Sequence, residues 1–184
     1  SDEDNMGDWM DKTVFMHSDL SHMYAVGAQF PASAWVFSTL DYANFSYVDF
    51  RPLQWSDGLN FSSDWWDDPA GNFSYFEGNS AISSVFTGAN LFNSTFYMNN
   101  FTMATFNNAN LGNSSFYMND LTNTNFTGAD LSQSKDRGDN VWDGANFAFA
   151  DLTNSTINYS NSTGINWFYT TCPNGSSSGS SGSC

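Results

Sequence analysis

Large apolar residues recur along this chain at every fifth position. The longest unbroken run of these centres has ten members, Phe86, Leu91, Phe96, Phe101, Phe106, Leu111, Phe116, Leu121, Phe126 and Leu131. A second period of twenty residues lies over the first, because segments 94–113 and 114–133 align with Phe-Tyr-Met-Asn at the same place in each. Self-similarity at a fixed period indicates a stacked-repeat architecture.

A period of five fits neither the α-helix, with 3.6 residues per turn, nor the β-strand, with two. If every fifth side chain points inward, each step turns the chain by a fixed angle, and four turns of about 90° close a square. We therefore predict an all-β fold, a right-handed quadrilateral β-helix whose coils lie about 4.8 Å apart. Residues twenty apart should then stack inside it: Phe76, Phe96 and Phe116 on one face, Phe86, Phe106 and Phe126 on the opposite face, and Asn79, Asn99 and Asn119 as a buried amide ladder.

The five-residue register also sets the predicted boundaries. An acidic segment, residues 1–7, precedes a β-helix over residues 8–174 with about eight four-sided coils. The register is interrupted near residues 56–71, where DWWDDPAG should bulge out as a loop. It is interrupted again near residues 134–144, where Asp136 occupies a centre and an added residue moves the frame to Phe147. A Gly/Ser tail, residues 175–184, follows the last coil.

Four short segments carry a family resemblance. Ala89-Asn90-Leu91, Ala109-Asn110-Leu111, Ala129-Asp130-Leu131 and Ala150-Asp151-Leu152 resemble the A-(D/N)-L-x-x motif of pentapeptide-repeat proteins. That resemblance implies a quadrilateral β-helix with the central Leu or Phe, and the small residue two positions before it, inside. It implies little about function, because one fold hosts many functions.

The two cysteines, Cys172 and Cys184, stand at the end of the predicted solenoid. Paired, they would close a short loop, staple the terminus and indicate an oxidising compartment. Two free thiols are the alternative. The segment TTCPNG at 170–175 resembles the ending of some secreted or lumenal pentapeptide-repeat proteins, and this resemblance favours the disulfide.

The chain is strongly acidic, with a formal net charge of −15. Such a surface repels nucleic acid and anionic membranes, so neither is an expected partner. No apolar run approaches the roughly 20 residues that a membrane-spanning helix needs. The sequence starts at Ser1, which is compatible with removal of a signal peptide and equally with trimming.

The titratable residues give no sign of catalysis, and we predict no enzyme, no cofactor and no metal site. His17 and His22 are the only histidines, and both fall at outward corner positions on adjacent sides of the square. Two acidic clusters offer oxygen ligands for Ca²⁺, but solvated loop carboxylates are the favoured interpretation; they are Asp64, Asp67 and Asp68, and Asp136, Asp139 and Asp143. Arg137-Gly138-Asp139 matches a known adhesion tripeptide, a match short enough to arise by chance.

N-glycosylation sequons are more frequent than composition explains. With 23 Asn and 41 Ser or Thr in 184 residues, chance gives about five, and the chain has 11. The repeat itself writes Asn-Phe-Ser/Thr at Asn44, Asn60, Asn100 and Asn125, which explains only some of them. We predict glycosylation at several of the sequons, given secretion; the full set is Asn44, Asn60, Asn72, Asn93, Asn100, Asn113, Asn125, Asn154, Asn158, Asn161 and Asn174.

The chain has more aromatic residues than the interior of a narrow solenoid can bury. The chain has 33, and about half of them fall at repeat centres. The others should lie outside and need a cover, either other subunits or sugars, because large exposed apolar patches mark interfaces. The predicted assembly interface comprises Trp9, Tyr24, Trp65, Tyr97, Tyr117 and Trp142.

These observations favour a secreted, glycosylated structural subunit that stacks head-to-tail into an extracellular fibre or surface layer. Its partners would be copies of itself and N-linked glycans, since the unpaired edges of a β-helix need a cap. The alternative is an acidic DNA mimic that binds and inhibits a DNA topoisomerase, as some pentapeptide-repeat proteins do. The charge fits this alternative, whereas the sequons, the cysteines and the surplus of aromatics do not.

Overall fold

A computed structural model describes residues 13–31, 33–51, 74–159, 162–180 and 182–184. These residues form no helix, and their extended segments are short. Six strands form one parallel sheet in chain order; they are β1 (Val14–Met16), β2 (Ala34–Val36), β3 (Tyr75–Glu77), β4 (Thr95–Tyr97), β5 (Ser115–Tyr117) and β6 (Lys135–Asp136). The predicted segment 1–7, the start of the β-helix at residue 8 and the loop near 56–71 lie outside the described residues.

The six strands make one side of a four-sided column, which we call the strand face. On each of the other three sides, single residues from successive coils form parallel bridges. The second face is Asp19, Thr39, Ser80, Asn100, Asp120 and Val141. The third face is Tyr24, Asn44, Val85, Thr105, Asn125, Asn146 and Asn166. The fourth face is Gln29, Asp49, Asn90, Asn110, Asp130, Asp151 and Thr171. The predicted quadrilateral β-helix is confirmed.

A left-handed backbone conformation turns the chain at the corners. The residue two positions after a centre has a positive φ, for example 59° at Tyr42 and 58° at Met103. At three of the four corners the centre's carbonyl accepts a hydrogen bond from the third residue on, as in Ala43 N to Leu40 O at 3.0 Å. This is the pattern of a type II turn. One such turn every five residues produces the square cross-section.

The interior is a set of stacked aromatic rings, as the twenty-residue period predicts. Phe76, Phe96 and Phe116 stack with centroids 5.1 and 5.0 Å apart. On the opposite face, Phe86, Phe106 and Phe126 stack at 4.8 and 5.2 Å. Rings from adjacent faces meet edge to face, the other favoured aromatic geometry. All six rings are fully buried, so the core is a continuous aromatic column.

The predicted asparagine ladder is also confirmed. It supplies hydrogen-bond partners to the backbone at the corner that follows the strand face. That corner lacks the type II hydrogen bond, and Phe76 O accepts instead from Nδ2 of Asn99, at 2.8 Å. Oδ1 of Asn99 accepts from the backbone N and from Nδ2 of Asn79, at 3.0 and 2.9 Å. Asn119 repeats this arrangement one coil later. Each amide therefore pairs backbone groups that would otherwise be buried without a partner.

The described column has seven coils, counted along its third face, so the number differs slightly from the predicted eight. Strand β2 pairs directly with β3, although Ala34 and Tyr75 are 41 residues apart instead of twenty. No coil therefore lies between β2 and β3, and five turns separate β1 from β6. The five-residue register continues through the intervening sequence and suggested extra coils.

One residue is added to the coil between Asp120 and Val141, which are bridged at a separation of 21 residues. Asp136 occupies the centre that this addition disturbs, and its register partner is Phe116. The carboxylate accepts from Asn140 Nδ2 at 2.7 Å and from Trp142 Nε1 at 3.1 Å. The backbone N–H groups of Gly138 and Asn158 also donate to it, at 2.8 and 3.1 Å. Four donors thus satisfy a carboxylate at a core position.

The Gly/Ser tail closes the C-terminal end of the column. Thr171 bridges Ser177 in the antiparallel direction, so residues 171–179 form a hairpin. Cys172 and Cys184 form a disulfide across a separation of 12 residues. Cys184 packs against the core cluster. The end of the β-helix is therefore covered by the chain's own tail.

Replacing Asn99 by alanine should lower the free energy of unfolding by about 3–5 kcal/mol. The change leaves Phe76 O and the backbone N of Asn79 buried without partners, and each such group costs about 1–3 kcal/mol. Asn100→Ala, at the neighbouring outward position, is the matched control and should cost about 1 kcal/mol or less. Urea unfolding followed by circular dichroism measures both. Equal losses for the two variants would show that the ladder adds nothing.

Gly78→Ala should destabilise the column more than Gly27→Ala. Both glycines have a positive φ, +62° and +70°, so alanine strains both, at about 1 kcal/mol each. A Cβ at Gly78 would lie 2.4 Å from the ring of Phe37, whereas nothing lies within 4 Å at Gly27. Adding Phe37→Ala to each variant, in a double-mutant cycle, should remove the difference. If the two glycine variants still differ in stability without the Phe37 ring, the backbone causes the difference and the ring does not.

Candidate functional site

The described residues offer two kinds of outward position, and neither forms a catalytic cleft. Residues on either side of a centre line the four faces, and residues two after a centre stand at the corners. No group of three His, Cys, Asp or Glu side chains converges within the described part of the chain. The candidate site is therefore the outer surface itself.

The sequon asparagines on the faces share one geometry. Oδ1 of Asn44 accepts from the backbone N and the hydroxyl of Ser46, at 3.0 and 2.7 Å. Oδ1 of Asn125 accepts in the same way from Thr127, at 3.1 and 2.6 Å. These are Asx turns within the sequon itself. Nδ2 of both asparagines, the atom to which a glycan would attach, has no hydrogen-bond partner among the described residues.

The remaining sequons differ in how their amides are used. Asn100 accepts from Thr102 N at 3.0 Å, and Asn174 accepts from both groups of Ser176, at 2.9 and 2.6 Å. At the corner after the fourth face, Nδ2 of Asn113 donates to Oδ1 of Asn93 at 2.8 Å, so that nitrogen is engaged. Asn154 and Asn158 are exposed. Asn60, Asn72 and Asn161 lie outside the described residues.

Exposed aromatic rings cluster at the corners of the first two coils. His17 stacks on Phe37 with centroids 5.6 Å apart, and His22 stacks on Tyr42 at 5.2 Å. The ring of Tyr47 lies over Gly88 in the next coil and is 66% exposed. The two histidines belong to separate stacks, as their sequence positions predict. A second exposed group at the other end of the column comprises Phe149, Phe168 and Tyr169.

The six predicted interface residues have different surroundings. Tyr24 is 78% exposed on the third face. Tyr97 and Tyr117 stack on each other at 5.3 Å on the strand face, and Tyr117 retains 36% exposure. Trp9 and Trp65 lie outside the described residues. The corner aromatics are thus more exposed than Tyr117, and the corner position two after a centre is the sequence signal for them.

The prediction that Trp142 lies on the outer surface is wrong. Trp142 is 0% exposed and its ring lies 5.6 Å from Phe116 and 5.7 Å from Phe147. The added residue precedes Trp142, so Trp142 is the first centre of the new frame. Its indole nitrogen donates to Asp136, which gives the buried polar group its partner.

The acidic residues near the added residue do not form a calcium site. Asp136 turns inward to its four donors, whereas Oδ1 of Asp143 accepts from Thr163 N at 2.7 Å. Asp139 is exposed at the corner, as is Arg137 on the other side of Gly138. The acidic residues Asp64, Asp67 and Asp68 lie outside the described residues.

Among the described residues there is one ion pair, on the fourth face. Arg51 Nη2 lies 2.6 Å from Asp49 Oδ2. The hydrogen bond from Arg51 lowers the pKa of Asp49, and the same contact raises the pKa of Arg51. On the strand face, burial raises the pKa of Tyr75, with a further contribution from the neighbouring Glu77 carboxylate. These groups are spread over the column and do not form a reactive pair.

A search of the described residues for membrane spans finds no helix with the length and apolar character that crossing a bilayer requires.

Comparison with known proteins gives one family match. Residues 100–135 match the family model "Pentapeptide repeats" in eight copies. No curated protein matches the chain in a sequence comparison.

Several solved structures resemble the chain. A pentapeptide repeat protein from the thylakoid lumen of Arabidopsis thaliana is 18% identical, with a TM-score of 0.43 over 88% of this chain and 84% of its own. Rfr23 from the cyanobacterium Cyanothece 51142 is 17% identical, with a TM-score of 0.34 over 82% and 88%. QnrB1, a plasmid-mediated fluoroquinolone resistance protein, is 14% identical, with a TM-score of 0.24 over 84% and 91%. Likeness at these values carries no information on function.

The matched repeats lie in the middle of the column. Parallel bridges continue on both sides of them, from Asn100 back to Ser80 at a spacing of 20 residues and from Asp130 on to Asp151 at a spacing of 21. Residues 100–135 are therefore pentapeptide repeats, and they lie within a longer quadrilateral β-helix.

Proposed function

We propose that this protein is a non-enzymatic, extracellular structural glycoprotein whose columns assemble with one another into a fibre or surface layer. The observation that carries the proposal is the set of exposed aromatic rings at the corners of the first two coils. Tyr42 and Tyr47 are 58% and 66% exposed, and Tyr24 beside them on the third face is 78% exposed. Contiguous exposed apolar surface on a soluble protein marks an interface.

The corner geometry suits these rings to association. Each ring is held by stacking on a group of the adjacent coil, as Tyr42 is by His22. The stacked side chains have already lost rotamer freedom, so binding costs less ordering entropy. Tyrosine also presents an apolar ring with a polar tip, which makes it frequent in interfaces. A second copy is the proposed occupant.

The geometry of the face sequons supports the glycosylation part of the proposal. At Asn44 and Asn125 the hydroxyl of the sequon is already hydrogen-bonded to the asparagine, and Nδ2 has no partner in the part of the chain that the structure describes. A glycan on Nδ2 would project from the third face without breaking a hydrogen bond of the column. The disulfide between Cys172 and Cys184 supports an oxidising compartment, where such glycans are added.

Head-to-tail stacking is the proposed arrangement along the fibre. The N–H groups of Asp19, Tyr24 and Gln29 face away from the second coil, and none has a partner among the described residues. The C-terminal end is already covered by the hairpin 171–179. A neighbouring copy must therefore dock on the hairpin or displace it.

The alternative function is a DNA mimic that inhibits a DNA topoisomerase, and the net charge of −15 favours it. DNA carries a charge at every step along each strand, at about 3.4 Å. The faces of this column interleave Asp with neutral residues: on the second face, Thr39, Ser80 and Asn100 separate Asp19 from Asp120. The charge is therefore too sparse on that face to reproduce a duplex. A gyrase supercoiling assay without inhibition at micromolar protein would exclude the alternative.

Glycan occupancy should be detectable by intact mass. Protein secreted from a eukaryotic host should lose mass on treatment with a peptide N-glycosidase, and Asn44→Gln with Asn125→Gln should remove two glycans. Asn113→Gln is a matched change at a sequon whose Nδ2 is hydrogen-bonded, and we expect it to remove none. Unmodified protein from such a host would remove the glycoprotein part of the proposal.

Self-association should depend on the corner aromatics. The double variant Tyr42→Asn with Tyr47→Asn keeps residues that tolerate a positive φ and should weaken association about tenfold or more, which is about 1.4 kcal/mol. Ser83→Asn with Gln133→Asn makes the same replacement at two polar corners and should leave association unchanged. Sedimentation and negative-stain imaging measure both. A wild-type protein that stays monomeric under both oxidising and reducing conditions would contradict the proposal.

A further inference from the structure

The hairpin at the C-terminal end reproduces the hydrogen bonds of a following coil. Within the column, the residue two after a centre and the next centre both donate to the coil below, as in Phe149 N to Phe168 O at 2.9 Å and Leu152 N to Thr171 O at 2.8 Å. In the last coil the equivalent donors are Tyr169 N and Cys172 N. They donate to Gly179 O and Ser176 O, both at 2.7 Å. The hairpin therefore supplies the acceptors that a coil would supply.

The same replacement holds in the other direction. In the column, Thr171 N donates upward to Ala150 O at 2.9 Å, and in the hairpin Ser178 N donates to Thr170 O at 2.9 Å. The side chain of Ser178 takes the place of the small inward residue. Thr170 N donates to Ser178 Oγ at 2.9 Å, and Ser178 Oγ donates to Trp167 O, as Thr170 Oγ1 donates to Phe147 O one coil earlier. The terminal edge therefore presents the backbone donors and acceptors that would pair with a further coil.

The hairpin is held on this edge with little packing. Residues 174–177 are exposed, and the segment 174–183 contains only Asn, Gly and Ser. Apolar burial, the main source of stability for a docked segment, is therefore absent along it. Among the described residues of the tail, Cys184 is the one apolar residue that packs against the core. The disulfide to Cys172 is what keeps the hairpin close to the edge, because it limits the freedom of the displaced tail.

We infer that the terminal edge, Tyr169–Cys172, is a docking edge for the first coil of a second copy, and that the disulfide-closed hairpin is its removable cover. The inference rests on the proposed self-assembly. The first coil has the complementary groups, because Gln29 and Thr171 both lie on the fourth face. The N–H of Gln29, which has no partner among the described residues, would take the place of Ser178 N on Thr170 O. The neighbouring copy then continues the parallel ladder that the antiparallel hairpin ends.

Opening the cover requires reduction of one disulfide. An external dithiol such as dithiothreitol gives two electrons and two protons, which convert the bond between Cys172 and Cys184 into two thiols while the dithiol becomes a cyclic disulfide. The reduced tail is then tethered at Cys172 alone. While the disulfide is intact, the cover stays closed and the column is a capped unit. End-to-end assembly of the extracellular protein therefore requires a dithiol reductant where assembly takes place.

The test compares the full-length protein with and without dithiothreitol. We expect the reduced protein to form end-to-end rods in negative-stain images and to associate about tenfold or more tightly in sedimentation. Cys172→Ser with Cys184→Ser should behave like the reduced protein without reductant. Hydrogen exchange at Tyr169 and Cys172 reports whether the cover has opened, and circular dichroism reports that the column remains folded.

A second variant opens the cover while the disulfide is kept. Ser178→Pro removes the N–H that donates to Thr170 O and the hydroxyl that contacts Trp167, so it should promote end-to-end rods in oxidised protein. Ser180→Pro is the matched control in the exposed tail and should leave the protein capped.

Three results would overturn the inference. Equal association of oxidised and reduced protein would remove the cover's role while leaving self-assembly intact. Rapid exchange at Tyr169 and Cys172 without rods would show that the exposed edge does not dock a second copy. Continued protection of these amides after reduction would show that the disulfide does not hold the hairpin. Failure of the proposed self-assembly is distinct, because it predicts monomers for the wild type and for every variant.

Discussion

The structure depends on a quarter-turn that the chain makes after every five residues. A residue with positive φ makes this turn, and 18 of the described residues other than glycine adopt such a φ, including Phe37, Tyr47 and Met98. Outside glycine, that conformation costs about 1 kcal/mol or more per residue. The column bears this cost because each turn returns the backbone to the hydrogen-bonding edge of the preceding coil. Corner residues are therefore fixed in conformation while their side chains remain free to serve other purposes.

The quarter-turn also decides which side chains are inside. Only the centre and the residue two before it point into the square, so each side of a coil contributes one centre, most often Phe or Leu, and one small group to the interior. At the corner after the strand face the small group is Asn99 or an equivalent, because the centre's carbonyl there has no turn hydrogen bond of its own. The amide supplies the missing donor and acceptor together. The asparagine ladder beside the aromatic column therefore has a structural role, because it gives hydrogen-bond partners to buried backbone groups.

The sequence predicted those parts that the period alone determines. Phe96 stacks on Phe116 and Asn99 bonds Asn119 because residues twenty apart must coincide in a four-sided coil. Trp142 was misplaced, and Asn140 was not assigned to the ladder, because the frame changes at the added residue and the period does not say where within residues 136–142 that addition falls. Asn140 in fact continues the ladder, since its Oδ1 accepts from Asn119 Nδ2 at 3.0 Å. The coil count differs slightly from the prediction for another reason. Strand β2 pairs directly with β3, and a sequence that keeps the five-residue register does not reveal this pairing.

The C-terminal hairpin is the feature of the surface that the hydrophobic pattern of the sequence was least able to predict. Its contacts run through the backbone and one serine, so they leave no apolar periodicity in the sequence. The donors Tyr169 and Cys172 are three residues apart, and so are their acceptors Gly179 and Ser176, but the acceptors run in the opposite chain direction. The antiparallel hairpin therefore pairs with the backbone of the last coil without presenting a further edge in the five-residue register. Such a segment ends the β-helix because it pairs in the antiparallel direction, and not because a bulky group blocks the end. Since it buries almost no apolar area, the stop is reversible in principle, and the covalent bond to Cys172 sets how firmly it holds.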